Sequence, residues 1–183
     1  MPTQATQRRA DIGLAWALKP TFVDYIRSSR DGSIEIDDDA AITPNSEFHF
    51  ELESVGSDRS LGQFSFKGTV RFRAHMGFLA IDLRNPRIVM DKRSAELAVE
   101  DGAGGWIHLA HVSLPEPAVE DAVTMWLEAP ATLTETATDL FGGSYEAGEQ
   151  LAPLTLRLPT ALIGADLRGR EQFDDEAISS NLH

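Results

Sequence analysis

The stretch Gly62-Gln63-Phe64-Ser65-Phe66-Lys67-Gly68-Thr69-Val70-Arg71-Phe72-Arg73-Ala74-His75-Met76-Gly77-Phe78-Leu79-Ala80-Ile81-Asp82-Leu83 decides the fold class. Phe64, Phe66, Val70 and Phe72 take its even positions, and Lys67, Thr69, Arg71, Arg73 and His75 its odd ones. A period of two is the mark of a strand with one buried face, because successive Cβ atoms leave a pleated chain on opposite sides. Met76-Gly77 reads as a turn and residues 78–83 as the returning strand, so the segment predicts a long antiparallel hairpin.

The same period recurs on either side. Within residues 47–55, Phe48, Phe50 and Leu52 alternate with His49, Glu51 and Glu53. Residues 33–37, 86–90, 95–100, 106–114, 123–128 and 154–158 are further strand candidates, and residues 11–18 read as extended because Lys19-Pro20 disfavours helix before the proline. Two segments depart from this pattern. Pro20 suits a first helical turn, and the helix it opens places Phe22, Tyr25 and Ile26 at i, i+3, i+4 before Asp31-Gly32 ends it. Residues 132–141 set Leu133, Ala137, Leu140 and Phe141 on one face ahead of Gly142-Gly143. About nine strands with two short helices predict a mainly β domain, an antiparallel sandwich or barrel.

A chain of 183 residues has the size of one domain. The expected division is a flexible N-terminus over 1–11, the domain over 12–158, and an acidic C-terminal tail over 159–183. With 42% hydrophobic and 25% charged residues the composition excludes wholesale disorder. The absence of cysteine excludes disulfides, Cys-ligated zinc, iron–sulfur clusters, thiolate haem and a Cys nucleophile. The net charge is −13, and residues 94–156 contain no Lys or Arg at all. Such a surface repels phosphate backbones and anionic lipid, which argues against nucleic-acid and membrane-surface partners. The N-terminus has no apolar core of the kind a secretory signal needs, and no run approaches the roughly 18 apolar residues of a spanning helix. The sequence as written therefore predicts a soluble, cytoplasmic product without membrane insertion.

Familiar catalytic motifs are missing: there is no GxGxxG, no Walker A, no HExxH and no GxSxG. His108 and His111 lie three apart on a predicted strand, a spacing that points them to opposite faces and makes a shared metal a poor expectation. Asp37-Asp38-Asp39 lacks the spaced ligands of a calcium loop and reads as a solvated turn. The residues alone lead to a soluble β-rich domain.

Three ordered blocks carry a resemblance that goes further. Leu14-Ala15-Trp16-Ala17-Leu18-Lys19-Pro20-Thr21-Phe22-Val23-Asp24-Tyr25-Ile26 resembles the opening of the haem-transport-associated (HtaA-type) domain. Residues 66–79, continuing into Asn85-Pro86-Arg87-Ile88, resemble the family's Phe-x-Gly-x-Val-x-Phe-x-Gly-His-x-Gly-x-Leu run and the Asp-Pro that follows it. Leu133-Thr134, Phe141, Tyr145, Gly148-Glu149, Leu151 and Pro153 resemble its closing block.

The resemblance implies a haem-binding module of actinobacterial haem uptake, usually secreted or at the cell surface, that carries ferric haem and passes it to a protein partner. It implies Tyr25 as the iron ligand, through its tyrosinate, and His75 as the hydrogen-bonding support of that oxygen. The chemistry is coherent, because a phenol with a pKa near 10 needs ferric charge and an oriented imidazole to serve as a ligand at neutral pH. Phe22 and Met76 are expected to touch the pocket. Lys67, Arg71 and Arg73, on the odd face with His75, are expected to meet the haem propionates. Ala17, Ala74, Met76 and Ala152 depart from the family pattern and are expected to reshape the pocket. Two other readings stay open: a pocket for another apolar or amphipathic small molecule, and an enzyme moving a proton between Tyr25 and His75.

Overall fold

A computed structural model describes residues 12–37, 39–56 and 62–164. The expected flexible stretch over 1–11 and the acidic tail from 165 onward lie outside these residues. Fourteen strands form within them. They are β1 (Gly13–Trp16), β2 (Ser33–Asp37), β3 (Ala40–Ile42), β4 (Phe48–Val55), β5 (Gln63–Lys67), β6 (Thr69–Ala74) and β7 (Leu79–Arg84). The second half adds β8 (Arg87–Met90), β9 (Ser94–Glu100), β10 (Trp106–Ser113), β11 (Ala118–Glu120), β12 (Val123–Ala129), β13 (Ala131–Leu133) and β14 (Leu154–Pro159). All strand pairings are antiparallel. A large curled sheet runs β11-β12-β14-β1-β4-β5-β8-β9-β10-β13, with β3 added beside β4, and a small sheet runs β2-β6-β7.

The predicted hairpin is present but bent. The run over residues 62–75, expected as one strand, divides at Gly68, so that β5 stays in the large sheet and β6 joins the small one. The return leg divides at the same level, β7 passing into β8 through Asn85-Pro86. Gly68 has φ +123° and lies so close to Ala40 that a Cβ would sit 2.7 Å from its backbone nitrogen. The Gly68 N–H donates to Asn85 Oδ1 at 3.1 Å, and the Asn85 N–H donates back to the Gly68 carbonyl at 2.9 Å. The alternation survives the corner because β5 and β6 both keep their even residues on the buried side: Phe64, Phe66, Val70, Phe72 and Ala74 are all buried.

The core between the sheets is aromatic. Phe48 of β4 meets Phe72 of β6 edge-on at 5.5 Å, Phe72 meets Phe22 at 5.4 Å, and Phe22 meets Phe141 at 5.3 Å. Such pairs contribute about 0.5–1.5 kcal/mol each beyond their burial. This chain of rings ties the large sheet, the small sheet, the helix α1 (Pro20–Ser28) and the 3₁₀ helix Glu135–Phe141 into one core. β1 is buried along its whole length between β4 and β14, and the Trp16 indole N–H donates to the Ala152 carbonyl at 2.7 Å.

The structure has more strands than the pattern predicted. β3, β11 and β13 have three residues each, too few for an alternation to be legible. Residues 131–133 form β13 rather than the start of a helix, since Leu133 is paired with Ala110 of β10, and the helical turn after it is 3₁₀. Beyond β14 the fold continues through a 3₁₀ turn at Thr160–Leu162 to the buried Ile163.

Gly68→Ala should destabilise the domain by about 2–3 kcal/mol, because it forces both a strained φ and a clash with Ala40. Urea unfolding of the two proteins measures the difference, and a loss below about 0.5 kcal/mol would contradict the corner's role.

Candidate functional site

α1 begins at Pro20 and buries Phe22, Val23 and Ile26. Val23 draws the buried arc away from Tyr25, which lies at the edge of the apolar stripe rather than in it. The side chain of Tyr25 is accordingly 46% exposed. The expectation that Tyr25 shares the face of Phe22 and Ile26 is thus corrected. The helix ends in serines: Ser28 and Ser29 donate their hydroxyls to the Tyr25 carbonyl at 3.0 and 2.8 Å. Gly32 follows because a Cβ there would lie 1.7 Å from the Ile26 carbonyl oxygen.

The tip of the bent hairpin comes back to this helix end. His75, Met76 and Gly77 have φ of 55°, 56° and 86°, three successive left-handed residues where one turn was expected. That conformation turns the His75 side chain toward α1, and Tyr25 Oη makes a short hydrogen bond with His75 Nε2 across 50 residues of sequence. The two rings stand 5.8 Å apart and tilted by 45°. Asp31 braces the same tip by accepting the backbone N–H groups of His75, at 3.1 Å, and Met76. The Met76 N–H above all holds the Asp31 carboxyl below the usual carboxylate range; desolvation opposes it as the next largest effect, and the His75 N–H adds a smaller lowering. Beside the pair, Met76 and Phe78 leave apolar side chains 89% and 90% exposed. Chemically this is a solvent-accessible phenol with an imidazole ready to take or return its proton, next to uncovered apolar surface.

The other expected site residues lie elsewhere. Phe22 is 3% exposed and supports the helix from beneath, packed between Phe72 and Phe141. Lys67 stands on the far side of the corner, 3.5 Å from Asp39 and 3.6 Å from Glu51, and Asp39 above all raises its pKa. Arg71 is ion-paired with Asp37. Arg73 reaches Asp82 at 2.7 Å and the Phe72 carbonyl at 2.9 Å. Ala74 and Ala152 are buried in the core and Ala17 packs against it, so these departures from the family pattern meet the interior. Met76 alone among them is at the tip.

His108 and His111 differ from expectation. A bulge in β10 buries both Leu109 and Ala110, which returns the two histidines to one face. Their Nδ1 atoms lie 3.5 and 3.9 Å from the two oxygens of Glu96. Among the described residues, no group of three or more histidine or carboxylate side chains is arranged to hold a metal ion, and no helix is long and apolar enough to cross a membrane.

Asp31 and Phe78 do not stand out in the sequence. Asp31 reads as the end of a helix and Phe78 as the start of a strand, and no local spacing links Asp31 to a turn 44 residues on. Phe78 also lines a groove of about 430 Å³ that continues along Ala80 to Ile107 and Leu140.

The model of the HtaA family, described as Htaa, matches residues 11–157. The chain is similar in structure to the N-terminal domain of HtaA from Corynebacterium glutamicum, with 27% identity and a TM-score of 0.66 over 80% of this chain and 96% of that one. It is similar to the C-terminal domain of the same protein, with 23% identity and a TM-score of 0.62 over 78% and 92% of the two chains. The haem-binding protein HtaB from the same organism has this fold too, at 20% identity and a TM-score of 0.59 over 79% and 90%. No curated protein matches the chain.

Acid should loosen the hairpin tip at an unusually low pH. Because the folded pKa of Asp31 is depressed, its contribution is complete above the ordinary carboxylate value near 3.8 and is lost as pH falls through the lowered one. The backbone amide resonances of His75 and Met76, followed by NMR, should shift with a midpoint below that of exposed carboxylates. A midpoint at or above about 4, the ordinary range, would contradict the hydrogen bonds.

Proposed function

This chain belongs to the HtaA family, and on that premise we propose that it binds ferric haem and carries it without turning it over, with Tyr25 as iron ligand and His75 as the support of the ligand oxygen. The observation that carries the reading is the half-exposed Tyr25 phenol held against His75 Nε2 by two segments that meet only in the folded chain. That HtaB, a protein of this fold, is a haem-binding protein supports the ligand class.

The residues present fit the group. Bound ferric haem supplies a positive iron centre that favours phenolate over phenol. His75 is placed to take the phenol proton at Nε2 and, as Nε2–H, to donate back to the phenolate oxygen and hold its direction. Met76 and Phe78 offer the uncovered apolar surface that a flat macrocycle needs on one side. Arg71 and Arg73 already carry Asp37 and Asp82, so they would hold haem propionates only by exchange with these carboxylates. The open position of the pair suits delivery of the haem to a protein partner.

Titration of the wild-type protein with ferric haem should give a saturable Soret band of a tyrosinate complex. Tyr25→Phe removes the ligand and keeps the ring, so it should abolish that band in a folded protein. His75→Ala should weaken binding about ten- to a hundredfold and shift the spectrum, as loss of a ligand's hydrogen-bonding support does. A folded wild-type sample without any saturable Soret change would refute the haem reading.

A further inference from the structure

The register of the small sheet leads to Asp31. β2 and β6 pair Ser33 with Arg73 and Ile34 with Phe72, so continuing the ladder by two residues sets Asp31 opposite His75. There the ladder changes character. Backbone pairing gives way to the Asp31 carboxylate, which accepts two successive N–H groups, from His75 and Met76, one on each oxygen. Both donors have left-handed backbones, φ 55° and 56°, which residues with a Cβ rarely hold without outside support. Successive N–H groups in such a turn converge on a common point and favour an anion there.

Asp31 is itself held relative to Tyr25. The Gly32 N–H donates to the Ser29 carbonyl at 3.0 Å, and the Ser29 hydroxyl donates to the Tyr25 carbonyl at 2.8 Å. The helix end that carries Tyr25 and the hairpin tip that carries His75 are therefore joined twice, through the phenol–imidazole bond and through Asp31. We infer that Asp31 is the positioning residue of the Tyr25–His75 pair: by gripping the His75 and Met76 N–H groups it fixes the backbone from which the imidazole projects and keeps Nε2 against the phenol. Its consequence for haem affinity rests on the function proposed above. The positioning itself is a property of the ligand-free protein.

The test has one arm in each state. In the ligand-free protein, the ¹⁵N shift of His75 Nε2, read through the carbon-bound ring protons, reports its hydrogen bond, and Tyr25→Phe supplies the value for a broken one. Asp31→Ala, with its fold checked by thermal unfolding, should move this shift most of the way to the Tyr25→Phe value. With ferric haem, Asp31→Ala should weaken binding about tenfold in the wild-type background but less than about twofold in His75→Ala, because an effect exerted through His75 vanishes with it. An unchanged Nε2 shift in folded Asp31→Ala, or equal losses in the two backgrounds, would overturn the inference. If wild type takes up no haem, that failure counts against the haem reading alone, and the ligand-free arm decides this one. Should Asp31→Ala not fold, Asp31→Asn, which keeps one acceptor and loses the other, takes its place: a shift toward the Tyr25→Phe value supports the positioning role, and an unchanged shift overturns it.

Discussion

Everything about the site depends on the corner at Gly68 and Asn85. A hairpin of the length of residues 62–90 would, if straight, remain in the large sheet and carry its tip away from the helix. The backbone of Gly68 passes within van der Waals contact of Ala40, and its two hydrogen bonds with Asn85 make both legs turn together. Bending at one level preserves the pairing of β6 with β7 from Thr69↔Arg84 to Ala74↔Leu79, so the tip is delivered to α1 as a rigid unit. A glycine there is a geometric requirement, because no Cβ fits and φ is positive.

The aromatic core makes the delivery accurate. Phe72, on the inner face of the displaced leg, touches both Phe48 of the large sheet and Phe22 of α1. Phe22 lies one turn before Tyr25, so the ring that locks the hairpin in place also locks the helix that carries the phenol. Close-packed interiors transmit position in this way because they have few voids to absorb displacement. Burial of Phe22 and exposure of Tyr25 on adjacent parts of one short helix are two sides of the same arrangement: the first anchors, and the second is left open to solvent.

Charge is distributed differently from what the sequence implies at first sight. The basic stretch around the hairpin reads as a cationic patch on a chain of net charge −13. In the fold its residues meet carboxylates that strand pairing brings alongside: Asp39 and Glu51 beside Lys67, Asp37 beside Arg71, and Asp82 between Arg73 and Arg84. Surface pairs that keep part of their contact with water add little stability. Their effect is to neutralise the face of the hairpin, which leaves the Tyr25–His75 pair and the apolar side chains of Met76 and Phe78 as the distinctive chemistry of the tip.

How much of this was legible in the sequence follows from the range of each interaction. Strand alternation in residues 47–55 and 62–75, and the proline that opens α1, are local, and they determined the mainly β class and the place of the helix. The family blocks pointed to Tyr25 and His75. The bulge in β10 that brings His108 and His111 together was hidden, since one extra residue inverts the face of everything beyond it. Also hidden were the split at Gly68, which leaves the period of two intact, and the contacts of Asp31, which reads as a helix-ending turn. By itself, then, the sequence determined the longer strands and the apolar faces of the hairpin and its neighbours, and through its family blocks it pointed to Tyr25 and His75. Only the tertiary structure decided that the hairpin bends, that its cations are already paired, and that Asp31 grips the turn under His75, because each of these is set by contacts between residues far apart in the chain, for which no local period exists.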